Sequence, residues 1–248
     1  MLGAWAAWAL PAAAQVTERP QTTPPGRVLM RIDGIRLSFD RSDAAGNTYD
    51  AVGVASTTLR TGLTETVDIQ VGLDLFLRET IRSGGRRNSH SGIGDVAVRT
   101  KWTFWRDEKA GAAAAVMPYV RFPTGSGGMG SEAVEGGVIV PWAMETGAGF
   151  KAGAMFQWDT VRNDADNGYD ARWFVSGFAI RDLTQTIAIY GEATAETRST
   201  GFSESEVTIG AGVVWRLSKR LELDYELQRG INSRAAAWTH ILRANWEW

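Results

Sequence analysis

The chain has 248 residues, a formal net charge of −2, 44% hydrophobic residues and no cysteine. That balance excludes a disordered chain and a broad basic nucleic-acid surface, and the missing thiols exclude disulfides, zinc–thiolate centres and cysteine nucleophiles. Mean hydropathy is −0.18, and beyond the N-terminus no apolar run approaches the ~20 residues of a membrane-crossing helix.

The chain opens "MLGAWAAWALPAAAQVTERP", an apolar stretch to Leu10 followed by Ala12-Ala13-Ala14. This reads as the apolar region and small-residue cleavage site of a signal peptide over 1–14, with cleavage expected after Ala14. Arg19 is the first positive charge, so the usual basic start is missing, as expected if the initiator is placed too late or the chain is trimmed. Residues 15–26 are polar with three prolines and are expected to form a short disordered tail. Residues 27–248 then form the barrel domain argued for below.

After Gly26 no 3.6-residue period persists. About twelve strand-like runs follow, broken by turn clusters. They lie at 27–40, 47–62, 66–80, 92–106, 111–123, 134–146, 148–161, 169–182, 184–198, 203–217, 220–231 and 235–248. In the first run, Arg31 and Asp33 share one face, then Arg36, Ser38 and Asp40 do. One extra residue near Gly34, a β-bulge, would keep all of them inside. The third run, "VDIQVGLDLFLRET", sets Ile69, Val71, Leu73, Leu75 and Leu77 against Asp68, Gln70, Gly72, Asp74 and Arg78. Side chains switch faces at every strand residue, so one face is apolar and the other charged. The same split puts Trp102 and Phe104 opposite Asp95, Arg99 and Lys101, and Leu221 to Leu227 opposite Glu222, Asp224 and Glu226. Runs 47–62 and 169–182 are less regular, because Phe174 and Phe178 fall on the side of Arg172.

Loop lengths and aromatics decide which face is outside. Short connections near 63–64, 107–109, 146–147, 183 and 218–219 alternate with longer ones: "RSDAAGN", "IRSGGRRNSHS", "TGSGGMGSEA" and "NDADNG". Such segregation belongs to a transmembrane, antiparallel, up-and-down β-barrel with both termini on the short-turn side. With strand directions assigned accordingly, Trp102, Phe104, Trp142, Trp215, Trp246 and Trp248 fall near the short-turn rim. Trp158, Trp173 and Trp238 fall near the long-loop rim. Two belts of outward aromatics mark the two membrane interfaces, so the apolar faces meet lipid. The last run closes on an aromatic residue, as an outer-membrane assembly signal does. Pairing Arg78 with Asp95, Asp74 with Arg99, Arg216 with Glu222 and Asp224 with Arg243 gives sensible turns, and each such pair contributes ~0.2–1 kcal/mol.

Four stretches, "SGIGDVAVRTKWTFW", "MPYVRFPTG", "EGGVIVPWAMET" and "RDLTQTIAIYGE", together resemble the outer-membrane transporter family associated with phenol meta-pathway degradation. That family is similar to the exporters of functional amyloid subunits. The resemblance spans roughly 50–248. It implies a transporter barrel of about twelve strands in a Gram-negative outer membrane, and aromatic or apolar solutes. The amyloid exporters carry a long N-terminal periplasmic segment; this chain has residues 15–26 in that place.

The candidate transport path is the charged lumen: Asp74, Arg78, Asp95, Arg99, Lys101, Arg121, Glu206, Glu222, Asp224, Glu226 and Arg243. Basic and acidic walls would orient polar solutes. Paired with one another, the same residues would instead fill the lumen of a plugged structural or adhesive barrel. The glycine-rich 125–133 stretch is either an inward constriction or a surface loop. A barrel-borne hydrolase is the third reading, but Ser89, His90 and Ser91 are chain neighbours in one loop and do not compose a triad. "NDADNG" lacks the glutamate that completes a calcium loop. No catalytic residue, metal or cofactor is expected. The expected partners are small solutes, outer-membrane lipid, lipopolysaccharide facing Arg82, Arg86 and Arg87, and the barrel-assembly machinery through the last strand.

Overall fold

The computed structural model describes residues 17–40, 47–146, 149–163, 168–199 and 201–247, and the side chains of all of these but 201–204. The strands are β1 (Val28–Phe39), β2 (Thr48–Gly62), β3 (Val67–Ser83), β4 (Arg86–Gly92), β5 (Val96–Asp107), β6 (Ala112–Phe122) and β7 (Glu135–Glu145). They continue as β8 (Phe150–Arg162), β9 (Tyr169–Asp182), β10 (Ile187–Arg198), β11 (Gly201–Arg216), β12 (Leu221–Gly230) and β13 (Trp238–Glu247). Each pairs antiparallel with its sequence neighbour, except that β4 and β5 both pair with β3, and β13 pairs with β1 to close the ring. Because β4 and β5 are two halves of one stave, the fold is a closed antiparallel barrel of twelve strands. Closure pairs the staves of the ring on both sides, which is what lets strands cross a hydrocarbon layer, while the β4 arm pairs with β3 alone.

The expected alternation generates this wall. Val71, Leu75, Trp102, Val140, Phe156, Val175, Val213 and Leu242 are exposed, while Asp68, Gln70, Asp74, Arg99, Lys101, Asp159, Asp224 and Arg243 are buried inside. The bulge anticipated at Gly34 is present: the β1–β13 register shifts between Asp33 and Ile35. Arg31, Asp33 and Ser38 are all buried as a result.

The stave that begins at residue 86 departs from expectation. "IRSGGRRNSHS" is not a long loop: β3 and β4 pair from Leu77–Gly92 up to Ser83–Arg86. Gly84 and Gly85 make the two-residue turn, with φ of +56° and +75°. Two left-handed residues in succession suit the twist of a hairpin, and only glycine adopts them without strain. The stave is interrupted at Ile93–Asp95, between β4 and β5. Opposite the interruption, the alternation of β3 slips by one residue. Leu75 and Phe76 are both exposed, and Leu77 turns inside.

Candidate functional site

Arg243 is the hub of the acidic wall. It is fully buried, and its guanidinium donates to Asp224 at 2.9 Å, to Glu226 and to the Tyr190 hydroxyl at 3.0 Å, with Asp33 at 3.7 Å. Asp224 and Arg243 are register partners across β12 and β13, as the sequence pairing proposed. Arg216 likewise faces Glu222 across β11 and β12. That pair sits half-exposed toward the short-turn rim at 3.4 Å, and Arg216 also binds Asp182 at 2.7 Å. Arg121 pairs with Glu135 at 3.1 Å. Glu206 is partly buried and stands beside Glu196 in the β10–β11 ladder. A further buried knot, absent from the sequence reading, joins Arg172 to Asp159 at 2.8 Å, with the Tyr119 hydroxyl donating to Asp159 at 2.5 Å.

Two of the proposed pairings are corrected. Arg99 lies opposite Gln70, not Asp74, and Arg78 lies opposite Ser91, not Asp95. The register is displaced because the 81–92 stretch pairs as hairpin rather than spreading as loop. Arg78 is exposed, and its Nε donates to Ser89. Asp74 is buried beside Arg31, Asp33 and Glu18. Asp95 holds the glycine-rich connection between β6 and β7. It accepts from Gly125 N–H (2.8 Å), Ser131 N–H (2.7 Å) and Ser131 Oγ (2.8 Å). Ser126 N–H also donates to the Ile93 carbonyl at the stave interruption, and Met129 is buried. This connection is therefore tied to the wall rather than free at the surface.

The lumen also carries apolar patches. Met117, Tyr119, Ile139 and Met155 form one buried cluster, with Phe174 packed on it. Ile180, Ala188 and Val214 form a second, with Phe178 and Tyr190. Phe178 and Tyr190 lie against their register partners Gly153 and Gly212, where a Cβ would strike the rings. Inward aromatics beside glycine explain why 169–182 read irregularly: an inward-facing position here carries apolar side chains as well as charged ones.

The largest departure concerns residues 15–26. Residues 15 and 16 lie outside the described part, but 17–26 run inside the barrel rather than forming a disordered tail. The segment enters past Gly62, where a Cβ would collide with the Thr23 and Pro24 carbonyls, and Pro25 bridges Gly62. Thr23 N–H donates to Asp68 (2.8 Å), and Thr103 Oγ1 donates to the Pro20 carbonyl (2.5 Å). Higher up, fully buried Lys101 donates to the carbonyls of Arg19 (2.8 Å) and Gln21 (3.5 Å) and to Glu18 (3.3 Å). Arg60 and Arg99 each stand 3.9 Å from the same carboxylate. Glu18 N–H donates to the Met155 sulfur (3.3 Å), Thr17 Oγ1 to Ser176 Oγ (2.7 Å), and the Arg19 guanidinium lies 5.7 Å from the Phe178 ring centroid. Burial pushes the Glu18 carboxyl up, but Lys101, Arg60, Arg99 and Arg31 outweigh it and hold it well below the usual carboxylate range. Glu18 is the site residue that sequence reasoning missed. The available signal was an excess of inward cations on β2 and β5 with one acidic residue in the segment ahead of the barrel.

The aromatic positions are as follows. Trp102, Phe104, Trp142, Trp215 and Trp246 are exposed on the short-turn half, and Trp158 and Trp238 on the long-loop half. Trp173 is partly buried beside its partner Trp158, and Trp248 lies outside the described residues. Ser89 and His90 sit on the exposed β4 arm, with Ser89 Oγ bonded to Arg78 and Thr80. His240 bonds Tyr225 on the outer face. Among the described residues no group of three acidic or histidine side chains is arranged to hold a metal. Most of "NDADNG" and the 1–14 segment lie outside the described residues.

A twelve-strand ring with these faces matches one family model over residues 14–248, that of "Putative MetA-pathway of phenol degradation". The chain belongs to this family. No curated protein matches the sequence. Among solved structures, this family member is similar to an outer membrane channel from Pseudomonas putida F1, with a TM-score of 0.69 and 11% identity over 92% of this chain and 98% of that one. It is also similar to the NanC porin, with a TM-score of 0.54 and 8% identity over 87% and 97% of the two chains. The transport unit of the autotransporter AIDA-I from Escherichia coli gives a TM-score of 0.55 and 12% identity over 89% and 90%. At these identities the likeness is one of fold.

Proposed function

We propose that this family member is an outer-membrane channel for small solutes, whose own N-terminal segment stands in the conducting path. The observation that carries the reading is Lys101. A lysine with no solvent exposure in the middle of a lumen is bonded to three residues of the entering segment, through the Glu18 carboxylate and the Arg19 and Gln21 carbonyls. Burying an ammonium costs several kcal/mol unless it is paired, so the segment completes the lumen electrostatically as well as sterically. The printed names of two similar structures, a channel and a porin, support the same reading. The exposed Trp belts are the membrane-interface girdle, β13 is the strand read by the assembly machinery, and Arg86 and Arg87 on the exposed hairpin meet anionic lipopolysaccharide.

The mixed lining of the lumen also indicates a solute class. Arg99, Lys101 and Arg121 stand next to an apolar surface that includes Met117, Met155, Phe174 and Phe178. Such walls suit a small molecule with an apolar or aromatic body and one polar end. The dense network around Arg243 favours a second reading, a plugged structural barrel. Planar-bilayer recording separates the two. The processed chain is expected to be mostly closed, and the chain lacking residues 15–22 to show discrete steps, with reversal potentials that change when Arg99 or Asp224 is charge-reversed. Silence from a folded, trimmed barrel would refute the channel and leave the structural reading.

A further inference from the structure

The buried cations of the lumen outnumber what the segment supplies. Arg60, Arg99 and Lys101 converge on a single carboxylate at 3.9, 3.9 and 3.3 Å. Charge-assisted N–H···O bonds ordinarily close to ~2.7–2.9 Å. Among the nearby acids, Asp68 stands opposite Lys101 in the β3–β5 ladder and accepts from Thr23 N–H and Gln70, and Asp33 faces Arg31 and Arg243. Asp74 shares a small cavity with Glu18, Arg31 and Arg60. The Arg60 Nε is buried with no hydrogen-bond partner among the described residues. If the segment withdraws, Glu18 goes with it, and Arg60, Arg99 and Lys101 lose the carboxylate on which they converge. An anion entering that place is drawn by the same three charges. One residue's width away, the backbone of Glu18 rests on Met155 and its neighbour Arg19 covers Phe178. An anion filling the vacated volume would therefore set its charge among the cations and its body on an apolar surface.

We propose that Arg60, Arg99 and Lys101 form a binding site for the carboxylate of a small organic acid with an apolar, aromatic body lying on Met155 and Phe178, and that Glu18 occupies this site until such an acid displaces it. The proposal rests on the channel reading and adds ligand control to it. Segment and solute compete for the same cations, so the solute that uses the path is the one that clears it. Arginine forks also take phosphate, but inorganic phosphate leaves the Met155 and Phe178 surface bare.

The chain has no cysteine, so Thr17→Cys places a single thiol on buried Thr17, where a water-soluble maleimide reports release of the segment. The labelling rate is measured in the full processed chain with increasing benzoate, benzyl alcohol or inorganic phosphate. Benzoate is expected to raise the rate to saturation, and the other two to leave it unchanged. In the chain lacking 15–22, where Glu18 no longer competes, Arg60→Gln should raise the benzoate concentration that half-blocks conductance about tenfold, as loss of one cation–carboxylate contact implies. Phe178→Ala should do the same through the apolar side, should Arg60→Gln fail to fold. Equal action by benzyl alcohol would overturn the carboxylate site, and equal action by phosphate would overturn the aromatic-acid assignment. No benzoate effect at any concentration would overturn both. Conductance of the chain lacking 15–22 separates this failure from that of the channel reading. A trimmed barrel that conducts without benzoate block sinks only the site. A silent one sinks only the channel if benzoate still speeds labelling.

Discussion

Replacing Glu18 with glutamine tests how the segment is held. In the folded barrel the Glu18 carboxylate is almost wholly buried, 3.3 Å from the Lys101 ammonium, which has no exposure at all. Removing one member of a buried ion pair typically costs ~3–5 kcal/mol, because the other is left without its counter-charge. Glutamine keeps a hydrogen-bond acceptor for Lys101, and its two carbonyl contacts to Arg19 and Gln21 remain, so the low end applies. A loss of ~3 kcal/mol shifts the seated-to-withdrawn ratio of the segment by roughly 10²-fold. In the Thr17→Cys background, where the lost Thr17–Ser176 bond is common to both chains, maleimide labelling of Glu18→Gln should be faster by about that factor. The barrel's heat-modifiable migration on a gel, which reports closure, should be unchanged. Labelling rates within about twofold of each other would mean that the ion pair does not hold the segment, and the electrostatic account of the plug would be wrong.

Four further outcomes are expected. Gly62→Val should also speed Thr17→Cys labelling without touching any charge, since a side chain there meets the Thr23 and Pro24 carbonyls; unchanged labelling would show that the segment enters elsewhere. Asp95→Ala removes three hydrogen bonds to the β6–β7 connection, each worth ~1.5–3 kcal/mol when one partner is charged, so protease added outside should cut near 126–130 while labelling of residue 17 stays slow. Because the Glu18 carboxyl is lowered in the folded state, its hold on the segment is complete above the ordinary glutamate value of ~4.3 and is lost only as pH falls through the lowered one; conductance of the processed chain should be flat from pH 7 to 5, and opening in that range would contradict this. Deleting β13, which pairs with both β1 and β12, or replacing Trp248 with alanine, should impair insertion; normal assembly of either would count against the role given to the last strand.

Most of the wall was legible from the chain alone, because a strand has a strict period of two. Residues such as Val71, Asp74, Lys101, Trp215 and Asp224 declare their face by parity, and the bulge at Gly34 showed itself as a break in that parity. The Asp224–Arg243 and Arg216–Glu222 pairs followed because β11–β12 and β12–β13 carry no slip in the pairing between them. The 77–95 stretch was misread for the same reason that the rest was read correctly. A one-residue slip at Leu75–Phe76 inverts every later face, so Leu77 goes in and Arg78 comes out, and "SGGRRN" makes a two-residue turn where glycines had suggested a loop. Phe174, Phe178 and Met155 are apolar yet inward because other parts of the structure cover them, and a local pattern carries no information about what lies across a lumen. The position of Glu18 belongs wholly to the tertiary structure. Pro25 and Gly26 set a local turn, closed by Arg27 N–H on the Pro24 carbonyl, but nothing in "TERPQTTPPG" directs Glu18 into a lumen; Lys101, Arg99 and Arg60 come from the two strands that flank β3, and only sheet pairing, which sets Arg60 and Arg99 on either side of Gln70, brings them to one point. A buried cluster of positive charge then captures the acidic side chain of the entering segment, and a stretch of chain ahead of the first strand becomes the stopper of its own barrel.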